Sequence, residues 1–133
     1  MAQVQSIDFQ QVIAFTLPTN VETIVVTGQA ASVESPTVKV VVKAFLMLIA
    51  GTSTTNVIVN IYRGTAIVAG NRIYQQGYSG GFTPGTGSEF VAAVSDLLAN
   101  AGGAQYCVSV QQGGATANGT VQTGSIETMV LSG

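Results

Sequence analysis

Apolar and polar residues alternate along much of this chain, and clusters of Gly, Pro, Asn and Ser cut the alternation into short pieces. In residues 56–63, NVIVNIYR, Val57, Val59 and Ile61 fall on one side and Asn56, Ile58, Asn60 and Tyr62 on the other. That period of two marks a strand with a buried face. The same reading predicts strands at 11–17, 22–28, 37–50, 56–63, 66–75, 89–97, 104–112 and 119–131. Pro18 and Pro36 sit just outside strands, as suits a residue that cannot donate to a ladder. Short strands at this spacing predict an all-β fold, an antiparallel sandwich or barrel, in a single domain over 1–133. Residues 1–11 are left over as an N-terminal arm that reaches to a neighbour.

Two segments break the simple pattern. Residues 37–50, TVKVVVKAFLMLIA, are apolar on both faces from Val40 onward. A central strand covered by the opposing sheet on one side and a neighbouring subunit on the other fits this; so does a strand inside a thick monomeric core. On the first view Val40, Val42, Phe45 and Met47, with Tyr62, are the candidate oligomer contacts. Residues 88–101, SEFVAAVSDLLANA, carry Phe90, Val94, Leu97, Leu98 and Ala101 at helical spacing after a possible Ser88 cap, with Gly102 and Gly103 as a stop. The alternation of Phe90, Ala92 and Val94 fits a strand equally, and the all-β context favours it.

Composition sharpens this picture. Val, Ile and Thr supply 43 of the 133 residues, and β-branched side chains prefer a pleated backbone. Hydrophobic residues make up 47% and charged residues 8%, where about 25% charged is usual. Mean hydropathy is positive. A domain of this size leaves about a third of its chain area unburied, so part of its apolar surface is expected to be covered by subunit contact. A monomer clothed in Thr, Ser, Gln and Gly is the other way to meet this composition.

The chain has no His, no Trp and a single Cys, Cys107. Cys/His zinc sites, imidazole bases and an internal disulfide are thereby excluded. The six carboxylates lie far apart in sequence and no D-x-D loop occurs, so neither a carboxylate pair nor a calcium loop is signalled. Glu34 and Glu89 read as solvated edge charges, and Cys107 as a small buried hydrophobe. The expectation is of a protein that is not an enzyme and holds no cofactor. Four cations against six anions give a net charge of -2 without runs. No basic face is present for nucleic acid, and Lys39 and Lys43 interrupt the most apolar run too early for a spanning helix. The opening MAQVQSIDFQQ has neither a basic nor an apolar leader region, so synthesis in the cytoplasm without a signal peptide is expected.

Two loops carry further interest. Residues 77–88, GYSGGFTPGTGS, hold Tyr78 and Phe82 among glycines, either as a tip for a glycan or other ligand or as rings folded back to pin the loop. Residues 112–120, QGGATANGT, contain Asn118-Gly119, which predicts a type I′ hairpin turn.

The order of segments resembles a known family. A long apolar strand precedes GTSTT (51–55), then NVIVNIYRGTAIVAG (56–70), a strand ending at Asp96, AQYCVSVQQ (104–112), a Gly-rich turn and NGTVQTGSIETMVL (118–131). This is similar to the small trimeric jelly rolls of the tumour-necrosis-factor/C1q-like type found in bacteriophage and viral structural proteins, over residues 37–133. The Asp-Thr-Pro usual in that family is here Asp96-Leu97-Leu98. The resemblance implies a jelly roll of about eight strands, assembled as a homotrimer around an apolar axis. It further implies a role in capsid decoration or as a spike on a virion or particle surface, among other virion structural proteins, with a surface receptor or glycan as a further partner.

Overall fold

The structure, a computed structural model, describes residues 3–29, 38–80, 82–83, 85–98 and 104–132. Its elements follow the predicted series. They are β1 (Gln3–Leu17), β2 (Thr23–Gln29), β3 (Val38–Ile49), β4 (Asn56–Arg63), a short 3-10 turn (Ala69–Asn71), β5 (Arg72–Ser79), β6 (Gly87–Leu98), β7 (Gln105–Gly113) and β8 (Gly119–Ser132). Two four-stranded sheets result, ordered β1-β8-β3-β6 and β2-β7-β4-β5, and every strand pair is antiparallel. This is an eight-stranded β-sandwich of jelly-roll type.

The two sheets share one core because each strand turns alternate residues inward. From β3 come Val40, Val42, Ala44, Leu46 and Leu48; from β4 Val57, Val59 and Ile61; from β7 Tyr106, Val108 and Val110; from β8 Val121, Ile126 and Val130. Segment 88–101 is a strand as far as Leu98, paired with β3 from Ile49↔Gly87 to Val38↔Leu98. Phe90 and Ala92 enter the core while Val91 and Ala93 stay exposed, the alternation of a sheet rather than the stripe of a helix. Its last residues, 99–101, lie outside the described residues, as do Glu34 and Pro36.

Three expectations are corrected. Residues 3–11 run as the first half of β1, paired with β8 from Gln3↔Ser132 onward, because that ladder satisfies their backbone groups. The strand expected at 66–75 begins at Arg72, since Gly64, at φ 101°, turns the chain into an exposed loop first. The β7–β8 reversal takes its left-handed residue at Gly114, φ 73°, whereas a type I′ turn would need positive φ at both Asn118 and Gly119.

Candidate functional site

Residues directly opposite on neighbouring strands share a face, so the outer side of the β1-β8-β3-β6 sheet can be read in rows. Ile7, Met129, Val41 and Ser95 form one row; Phe9, Glu127, Lys43 and Ala93 the next. Gln11, Ser125, Phe45 and Val91 follow, then Ile13, Thr123, Met47 and Glu89. Every row carries two or three apolar side chains; Lys43 and Glu127 stand opposite each other in the second, and polar Gln11, Ser125, Thr123 and Glu89 are interspersed in the last two. Ile7, Phe9, Ile13 and Val91 are 57%, 55%, 67% and 66% exposed. Exposed apolar side chains gathered on one face in this way are what interaction surfaces are made of.

The outer side of the other sheet is built differently, from buried polar side chains. Oε2 of Glu22, just before β2, accepts hydrogen bonds from Asn60 Nδ2 (3.0 Å), the Tyr62 hydroxyl (2.6 Å) and the Ser109 hydroxyl (2.5 Å). Burial, then the bond to Glu22, pushes the Tyr62 phenol up to about 12. Burial, then the Glu22 charge, pushes the Cys107 thiol up to about 11. Neither group ionises near neutral pH, and the fully buried Cys107 behaves as the small hydrophobe its neighbours predict.

A second carboxylate bridges the two sheets. Asp96, on β6, is 5% exposed and accepts both nitrogens of the Arg63 fork, with Nε at 2.9 Å, together with the Tyr106 hydroxyl at 2.8 Å. Burial alone would raise its carboxyl, but the bonds from Arg63 and Tyr106 outweigh that and hold it below the ordinary value. A third tie is the buried Gln112 on β7. Its Oε1 accepts the Gly51 N–H at 2.9 Å, and its Nε2 donates to the carbonyls of Leu17, Pro18 and Ala117. The β1–β2, β3–β4 and β7–β8 loops are thereby fastened at one end of the sandwich. Backbones approach so closely there that a Cβ on Gly51 would lie 1.9 Å from the Ala117 carbonyl oxygen.

The structure parts the five contact candidates. Phe45 and Met47 lie half-buried on the apolar outer face. Val40 and Val42 point the other way, fully buried in the core, because odd and even residues of β3 alternate sides. Tyr62 belongs to the other sheet, buried against Glu22. Ile7, Phe9, Ile13 and Val91, which share the face with Phe45 and Met47, were not among the predicted contacts; for Ile7 and Phe9 the signal was the apolar half of an alternation with Asp8 and Gln10, and for Val91 an apolar residue between the buried Phe90 and Ala92. Tyr78 and Phe82 both turn onto Phe90, with ring centroids 4.7 and 6.3 Å away, closing the core beneath the β5–β6 loop. Among the described residues, no three of His, Cys, Asp and Glu gather as a metal group, and no helix is long and apolar enough to cross a membrane.

No family model matches the sequence, and no curated protein matches it. Solved structures do match in fold. VP2 of infectious bursal disease virus in derived T=1 particles overlays at a TM-score of 0.58 with 10% identity, over 96% of this chain and 36% of that one. The T13 particle of the same virus gives 0.60 and 10%, over 96% and 35%. The chain therefore spans about a third of the length of these capsid proteins. What is shared is the viral jelly-roll sandwich.

Proposed function

We propose that this chain is a non-enzymatic structural subunit of a virion or particle surface, a homotrimer in a decoration or spike role, packed among other virion structural proteins. The observation that carries the reading is the apolar outer face of the β1-β8-β3-β6 sheet. Its rows centre on Phe45, Met47, Phe9 and Val91, and a neighbouring copy covering them would bury the exposed Phe9 and Val91 together with Ile7 and Ile13. The trimer, the bacteriophage setting and the particle-surface location come from the family resemblance. The likeness to capsid jelly rolls supports a structural role at the level of fold.

The alternative, a glycan- or ligand-binding module presenting Tyr78 and Phe82, has less support, since both rings are spent on Phe90. Light scattering coupled to size exclusion tests the trimer. A mass near three times 13.6 kDa is expected, falling to one copy in the Phe9→Lys, Val91→Lys variant with its circular dichroism unchanged. A monomer at every concentration overturns the proposal.

A further inference from the structure

The sandwich has a second feature that neither the apolar face nor the loops account for. Where the edge strands β1 and β2 part, a polar cleft of about 210 Å³ opens, lined by Asp8, Gln10, Thr27, Gly28, Gln29 and Gln105. Its walls are fixed by hydrogen bonds across the two sheets. The Gln29 N–H donates to Asp8 Oδ2 at 3.2 Å, and the Thr128 hydroxyl donates to the Gln29 carbonyl at 3.2 Å. The cleft is thus held by side chains bonded to the Gln29 backbone, Asp8 among them, and Gln10 Nε2 donates to the other oxygen of Asp8 at 3.3 Å.

The lining defines the chemistry it accepts. Three carboxamides and a hydroxyl each offer both a donor and an acceptor, and one carboxylate adds acceptors only. Among the described residues no cation lines the cleft, so a phosphate, sulfate or sugar acid would find no counter-charge. A cation would leave the donors of three amides unused. A neutral ring bearing several hydroxyls uses both kinds of group. The volume falls below the roughly 300–1,000 Å³ of drug-sized sites and suits one ring rather than a chain of them.

We infer that this cleft binds a single neutral hexose ring of a glycan, through Asp8 and the carboxamides of Gln29 and Gln105. Among the described residues no aromatic ring lines the cleft, so binding by one copy is weak. The inference does not depend on the oligomer or on the particle role.

Saturation-transfer NMR on the full chain tests it, with the methyl glycosides of galactose, glucose, mannose and N-acetylglucosamine as probes and sialic acid and arginine as comparators. Transfer to at least one neutral glycoside is expected, cut at least fivefold in Asp8→Asn, which keeps the shape and exchanges an acceptor for a donor. The same loss is expected in Gln105→Ala, an exposed position whose truncation leaves the core intact. Transfer to none of the four glycosides, equal transfer in both variants, or preference for sialic acid or arginine would each overturn the inference.

Discussion

Replacing Gln112 by Leu tests whether one side chain fastens three loops. Leu nearly matches the volume and fits the buried site, but none of the amide's hydrogen bonds survives. Two buried backbone groups lose this partner, the Gly51 N–H at 2.9 Å and the Leu17 carbonyl at 3.3 Å. The Pro18 and Ala117 carbonyls lie nearer solvent, and Thr54 keeps its 2.7 Å bond to the Gly51 carbonyl. At about 1–3 kcal/mol per stranded buried group, less the gain from an apolar side chain, the net loss is about 2–4 kcal/mol. Unfolding entropy of roughly 2.1 cal/mol/K per residue converts this to a Tm lowered by about 7–14 °C. Calorimetry at one fixed protein concentration reads it, because assembly also shifts Tm. Gln112→Glu discriminates further: its second oxygen faces three carbonyls, so its deficit should grow from pH 5 to pH 7. If Gln112→Leu melts within 2 °C of the wild type, the amide does not hold the loops.

Three other outcomes are expected. Asp96 has a folded pKa below its unfolded value of about 3.9, so its stabilisation is whole above about pH 5 and is lost as pH falls through the folded value. Urea midpoints from pH 3 to 7 should show that acid limb in the wild type and a shallower one in Arg63→Met. That variant should also cost about 2 kcal/mol at pH 7, below the 3–5 of a fully buried pair, because the Arg63 side chain is 45% exposed. Tyr78→Ala with Phe82→Ala should lower stability by about 2–4 kcal/mol in denaturant titration, through lost packing on Phe90, whereas rings serving only as a binding tip would leave stability unchanged. Cys107 should react with a thiol reagent at pH 8 only as fast as the protein opens, so urea below the midpoint should accelerate it; fast reaction in buffer would refute its burial.

Strand positions were legible in the sequence because each core strand turns an apolar residue inward at every second position, as Val57, Val59 and Ile61 do. The first half of β1 was not, since there the rule reverses: Ile7 and Phe9 face out while Asp8 and Gln10 face the cleft. The apolar outer face was half legible from β3, which showed two apolar sides without saying which residues shared one. Register supplied that, by setting Phe45 beside Val91 and Ser125. The polar ties were illegible, because their partners lie far apart in the chain. Glu22 meets Ser109 and Gln112 meets Leu17 only once the sheets form, and a lone Glu or Gln in a strand pattern reads as a solvated residue.

The strand order also governs how this chain can acquire its shape. β1 and β3 are separated by β8, and β2 and β4 by β7, so the four N-terminal strands of the sandwich share no ladder with one another. Only β4 and β5 pair as neighbours in sequence. A nascent chain that has reached Arg63 therefore holds four strands, each waiting for a partner not yet made, and its apolar residues stay exposed to chaperones and to other chains until β7 and β8 slot into the gaps. Folding is accordingly a late, nearly concerted closure, and the last strands in the order decide whether the earlier ones find their places at all.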